Sequence, residues 1–128
     1  MIQVEADKSD GILRITFSEK VTPQEAEESV KRTNALLDDM QPGFRLVADL
    51  STLKSMDIAC APFIAKVMDH CNERGIAKVI RIIPDPRKDI GLSIMSVFHY
   101  DRRVRILTCE TVAEAEEALR AGAPGPSN

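Results

Sequence analysis

LVADLSTLKSMDIACA, residues 46–61, is the stretch from which the fold is read. It begins inside an apolar run, Phe44 to Leu50 (FRLVADL), which reads as a buried strand. That strand is expected to end at Asp49-Leu50-Ser51, a polar loop entrance. The stretch closes on a helix from about Ile58 to Arg74. Phe63, Ile64, Val67, Met68 and Cys71 fall near helical spacing, and Gly75 is the kind of residue found just past a helix end. Pro62 either starts the regular helix or leaves one carbonyl unpaired in its first turn. Asp57 is placed to cap that helix.

On the N-terminal side, Ile2–Glu5 and Ile12–Phe17 are two short extended segments. In the second, Leu13, Ile15 and Phe17 alternate with Arg14 and Thr16, the period of a half-buried strand. Asp7-Lys8-Ser9-Asp10-Gly11 between them is rich in turn formers, so a hairpin is expected. Thr22-Pro23-Gln24-Glu25 then carries a cap, a proline in the first turn and the acidic residue of a capping box. Ala26, Val30, Ala35, Leu36 and Leu37 give that helix an apolar face, and it should stop by Met40, before Gln41-Pro42-Gly43.

On the C-terminal side, Ile76–Ile83 (IAKVIRII) is the most β-branched run of the chain and reads as an interior strand. Asp85-Pro86 repeats the cap-plus-proline pattern. Ile90, Ile94, Val97 and Phe98 follow on one helical face. Leu92, Met95 and His99 form a second, partly apolar stripe on the same helix, Arg87 to Tyr100, which either docks a partner or packs on a neighbouring element. Val104–Cys109 is a last strand. Thr111-Val112-Ala113-Glu114 is a second capping box, opening a helix with Val112, Ala115, Ala118 and Leu119 on its apolar face. The tail, 122–128, is expected to be disordered.

The order is thus ββαβαβαβα: an α/β domain over residues 1–121 with a mostly parallel five-stranded sheet and four helices joined by right-handed crossovers. This order, together with residues 46–61, resembles the STAS family, which includes anti-sigma-factor antagonists and the cytoplasmic domains of sulfate transporters. The strand ending in Asp49-Leu50-Ser51, the loop, and the apolar residue and Asp (Met56-Asp57) at a helix start carry the resemblance. The C-terminal strand and Glu/Ala-rich helix agree with it. It implies a STAS-like regulatory protein–protein interaction module, with Ser55, Asp57, Ile58, Ala59, Cys60 and Ala61 facing the partner. A kinase-like anti-sigma factor or similar protein is the partner it implies. In phosphorylatable members the Asp precedes Ser-Ser or Ser-Thr and then Gly, and the second hydroxyl takes the phosphate. Here Asp57 precedes Ile58, Ala59 and Cys60, and position 59 has no hydroxyl. Ser51, Thr52 and Ser55 are the nearby residues that can accept phosphate.

The 128 residues suit one domain, and 44% hydrophobic residues provide its core. A formal net charge of −3 argues against broad nucleic-acid binding. Arg87, Lys88, Arg102, Arg103 and Arg105 are the best local basic patch. The N-terminus lacks the pattern of a signal peptide, and no apolar run approaches the ~20 residues of a membrane span, so a soluble cytoplasmic protein is expected. Cys60, Cys71 and Cys109 are an odd count without CxxC spacing, so no disulfide framework is expected.

Catalytic patterns are lacking. There is no GxxxxGK[ST], GxGxxG or GxSxG run. His70 and Cys71 are adjacent and diverge by about 100° on a helix, so they do not converge on a metal. Cys60 is the one thiol near a helix N-terminus, where thiol pKa values fall. Asp49, Asp57 and Asp85 are the acidic residues expected near the C-terminal ends of parallel strands. The reading is a non-enzyme without a cofactor. The alternative function is binding of a small apolar, lipid-like ligand, which requires an enclosed cavity of roughly 300 Å³ or more.

Overall fold

The structure, a computed structural model, describes residues 1–85 and 99–121. Five strands form one sheet in the order β1-β2-β3-β4-β5: β1 (Ile2–Asp7), β2 (Ile12–Val21), β3 (Arg45–Met56), β4 (Lys78–Ile82) and β5 (Arg105–Cys109). β1 and β2 pair antiparallel, and the three remaining pairings are parallel. The mostly parallel sheet expected from the sequence is therefore corrected to a mixed one. The reason is local: Gly11, at φ 64, takes the left-handed conformation that closes the tight hairpin. The connections into β3 and β4 each carry a helix, and β3, β4 and β5 all pair parallel.

Three α-helices are described: α1 (Pro23–Leu37), α2 (Ala61–Glu73) and α3 (Val112–Ala121). A fourth was expected over Arg87–Tyr100. Most of it, with the Arg87, Lys88, Leu92 and Met95 readings, falls outside the described residues, as does the tail. The capping box of α1 forms as read. Thr22 Oγ1 accepts from the Glu25 N–H at 3.3 Å, and Glu25 Oε1 accepts from the Thr22 N–H at 3.1 Å. Thr111 Oγ1 likewise accepts from the Glu114 N–H at 3.1 Å. Pro62 sits within the first two positions of α2, where its missing N–H costs nothing.

Two helical faces differ from expectation. The buried stripe of α1 is Ala26, Ser29, Thr33 and Leu37, while Ala35 is exposed. On α3, Ala115 and Leu119 are buried but Val112 is exposed. The main core lies between one sheet face and α1 and α2, and includes Leu13, Ile15, Leu46, Leu53, Ile64, Val67 and Val79. A smaller core under α3 takes Val47, Ile80, Ile82, Ala115 and Leu119.

The largest departure is in β3. Asp49-Leu50-Ser51 is not a loop entrance, because the strand continues to Met56. Its extension pairs with the second half of β2: Ser18 with Thr52, Glu19 with Leu53, Lys20 with Ser55 and Val21 with Met56. Register shifts beside Ser18 and Glu19, the latter at φ 56, bend β2 so that this pairing persists. Leu50 and Leu53 are both fully buried, and this apolar gain holds the extension in place.

Candidate partner-binding site

The extended β3 delivers the chain to a junction with α2. Met56 ends the strand, Ile58–Cys60 forms one 3₁₀ turn, and Ala61 opens α2. The junction is tied at three points. The Asp57 N–H donates to the Val21 carbonyl at 3.4 Å, Asp57 Oδ1 accepts from the Ala59 N–H at 2.8 Å, and the Cys60 N–H donates to the Asp57 carbonyl at 2.9 Å. Asp57 thus caps the 3₁₀ turn directly.

The turn divides its side chains sharply. Ile58 is 84% exposed, and Ala59 and Pro62 are exposed beside it. Ser55 and Asp57 are exposed too, and Ala61 is half-buried. Cys60 turns inward: it is buried, with Sγ 3.8 Å from the Val21 carbonyl oxygen. The expected partner-facing set therefore holds together at one junction except for Cys60, which belongs to the core. The Cys60 thiol is not activated by the helix start. Burial first, and Asp57 second, push its pKa up. Near the junction in sequence, Lys54 pairs with Glu19 at 2.9 Å and Lys66 lies over the Phe63 ring at 5.7 Å. An apolar projection with charged residues nearby can bind a protein surface.

The other candidates separate. Asp49 lies well inside β3, where Oδ1 accepts from the Ser51 N–H at 2.8 Å, so it does not join Asp57 at the strand end. Cys71 is fully buried, and burial pushes its thiol up to about 12. His99 Nδ1 lies 2.6 Å from Asp69 Oδ1. Arg102, Arg103 and Arg105 are exposed, and Arg103 Nε pairs with Asp101 at 3.2 Å. Among the described residues no cluster of His, Cys, Asp or Glu has metal-binding geometry, and no helix is long and apolar enough to cross a membrane.

Two features were not anticipated. Pro62 extends the exposed patch one turn beyond Ile58; the signal was its place four residues on. Arg81, on the inner face of β4, is only 7% exposed. Its signal was an arginine among the β-branched residues Val79, Ile80, Ile82 and Ile83.

No family model and no curated protein matches the sequence. Solved structures do match the backbone. A protein of the DUF3478 family from Shewanella loihica, described as having a SpoIIAA-like fold, matches with a TM-score of 0.68 at 16% identity, over 93% of this chain and 92% of that one. The anti-sigma factor antagonist SpoIIAA in its unphosphorylated form matches at 0.63 and 13%, over 95% and 99%. The fold is SpoIIAA-like. SiaC of Pseudomonas aeruginosa, the activator found in complex with the diguanylate cyclase SiaD, matches at 0.55 and 14%, over 84% and 89%. The STAS resemblance of residues 46–61 and of the element order thus has its counterpart in the three-dimensional fold.

Proposed function

We infer that this chain is a non-catalytic regulatory module that binds a protein partner, in the cytoplasm, through the β3–α2 junction. The observation that carries this reading is Ile58, a large apolar side chain left 84% exposed on a turn that three backbone-anchored hydrogen bonds hold rigid. A pre-organised apolar anchor loses little conformational entropy on binding. SpoIIAA and SiaC, which share the fold, are an anti-sigma factor antagonist and a cyclase activator. Their roles favour a regulatory protein partner, and the STAS resemblance suggests a kinase-like anti-sigma factor or similar protein. Control by phosphate on position 59 is closed to this chain, because Ala59 has no hydroxyl.

Among the described residues, the size of the apolar cavity disfavours the lipid-like alternative. The apolar cavity between the sheet and the helices α1 and α2 measures about 40 Å³, against the several hundred typical of ligand pockets.

The test is co-purification with the tagged chain, repeated with Ile58→Asp and Ala59→Glu. Both positions are exposed, so both variants should keep the wild-type melting temperature within a few degrees. A carboxylate forced into an apolar interface costs several kcal/mol, so affinity for the recovered partner should fall by a factor of about 100 or more. Unchanged affinity in both variants would remove the junction as the interface.

A further inference from the structure

β1 lies at one edge of the sheet, and among the described residues only β2 pairs with it. The Ser18 N–H donates to the Met1 carbonyl at 2.8 Å, which fixes Met1 and Ser18 as a hydrogen-bonded pair. In an antiparallel ladder such pairs alternate, so Gln3, Glu5 and Asp7 turn their backbone groups to β2. Ile2, Val4 and Ala6 turn theirs to the open edge. Edge strands are ordinarily blunted by lysine, proline, a bulge or shortness. β1 runs unbroken over six residues, IQVEAD, with no lysine or proline, and the register shifts of β2 fall against β3 instead. β5, at the opposite edge, offers only Ile106 and Thr108, because the Arg105 N–H donates to the Ala77 carbonyl and the Cys109 carbonyl accepts from Ile83.

We propose that the β1 edge pairs with the β1 edge of a second copy of this chain, antiparallel about a two-fold axis at Val4. In that register Val4 faces Val4, and Ile2 faces Ala6 of the other copy. Every outward N–H and carbonyl of Ile2, Val4 and Ala6 is then bonded in both copies. The side chains agree on both faces of the sheet. Ile2, Val4 and Ala6 pack on the main core, and Val4 and Ala6 are only half-buried in the single chain. The pairing continues this apolar strip across the axis. On the other face Gln3 and Glu5 are exposed, and each meets the other residue of the second copy, an amide donor against a carboxylate acceptor. The neighbouring registers are worse. An axis at Glu5 sets Glu5 against Glu5, and one at Ala6 sets Glu5 against Asp7, like charges directly opposite. An axis at Gln3 carries Ala6 beyond the opposing strand.

The experiment is sedimentation equilibrium of the full chain over a concentration series, for wild type and edge variants. A six-residue edge is a small contact, so the dimer should have a dissociation constant on the order of 100 µM. Val4→Pro removes an N–H that β2 does not use, and proline is tolerated at such edge positions. It should weaken the dimer about tenfold or more, since each copy loses one N–H across the axis. Thr108→Pro makes the same change on β5 and should leave the dimer intact. Gln3→Lys, which sets an ammonium against Glu5 of the other copy, should tighten the dimer, and Gln3→Glu should weaken it, each by roughly threefold. A chain that stays monomeric up to about 1 mM would overturn the proposal, as would a dimer that survives Val4→Pro unchanged or is lost in Thr108→Pro. Should Val4→Pro fail to fold, amide exchange in the wild type decides. Exchange at Ile2, Val4 and Ala6 should slow as concentration rises, while Gln3 and Glu5, bonded to β2, exchange slowly throughout. Exchange at Ile2, Val4 and Ala6 that does not respond to concentration refutes the pairing.

Discussion

Replacing Leu53 with Ala tests the feature on which the site depends. Leu53 is fully buried and lies in the half of β3 that runs beyond Asp49-Leu50-Ser51. Its side chain packs in the main core, and in register it pairs with Glu19 at the bend of β2. Truncating a buried leucine to alanine costs about 2–5 kcal/mol, from lost transfer energy and from the cavity left behind. For a domain of this length that lowers the melting temperature by roughly 10–20 °C. Lys54 is the internal control. It is exposed and paired with Glu19 at 2.9 Å, a surface pair of the kind that contributes at most about 1 kcal/mol. Lys54→Ala should therefore shift the midpoint by only a few degrees. Thermal denaturation followed by circular dichroism measures both. Hydrogen exchange adds a local readout, since Leu53→Ala should speed exchange at the Asp57 amide, which is bonded to Val21. Should Leu53→Ala cost no more than Lys54→Ala, residues 52–56 would be a loop and the junction would have no rigid base.

Two further outcomes are expected. Glu25 has its pKa lowered chiefly by the hydrogen bond from the Thr22 N–H, so its contribution is present above its ordinary value of 4.5 and is lost as pH falls through the lower folded value. Wild type should melt above Glu25→Gln at neutral pH, and the gap should close on acidification below that value; a gap constant across a melting series from about pH 7 to pH 3 would contradict the assignment. Alkylation at about pH 8 should label Cys109 first, because Cys109 is half-buried whereas Cys60 and Cys71 are buried; mass spectrometry finding Cys71 labelled before denaturant is added would be incompatible with its packing and with a thiol held at about 12.

The parts of the fold legible in the sequence are those determined by near neighbours. The capping box at Thr22, the side-chain cap at Thr111, the hairpin at Gly11 and the end of α2 at Gly75 each depend on contacts within a few residues and form as read, although at Thr111 Glu114 meets the Thr111 hydroxyl and not its backbone N–H. The end of β3 was not legible, since Asp49-Leu50-Ser51 has the composition of a turn and only pairing with the bent β2 overrides it. The α1 stripe was misjudged for a related reason. Ser29 and Thr33 are polar by type, yet their small side chains fit against the core, with the Ser29 hydroxyl satisfied by the Ala26 carbonyl. At the site, Asp57 was readable as a cap because its partner is two residues away. That Cys60 faces in while Ile58 faces out follows from how the 3₁₀ turn leaves the strand, and helical periodicity assumed from Ile58 onward does not describe it.

Exposure of Ile58 has an energetic consequence for how the junction works. Burying such a side chain contributes about 1.5–3 kcal/mol, and the free chain forgoes it. A flexible loop would let Ile58 fold back onto Phe63 or the strand end and recover part of that energy. The Asp57 cap, the Val21 bond and the inward Cys60 prevent this by fixing the turn on both sides. The apolar surface is thus held out in water by contacts on the far side of the same turn. If the junction is the interface proposed above, the stabilisation forgone in the free protein is recovered by a partner with a complementary apolar recess. α2 begins at this turn and continues over the sheet, with Ile64, Val67 and Met68 packed into the core. On the proposed reading, the geometry offered to a partner is set by the packing of α2 in the core, and substitutions beneath the helix should then weaken binding as those at Ile58 do.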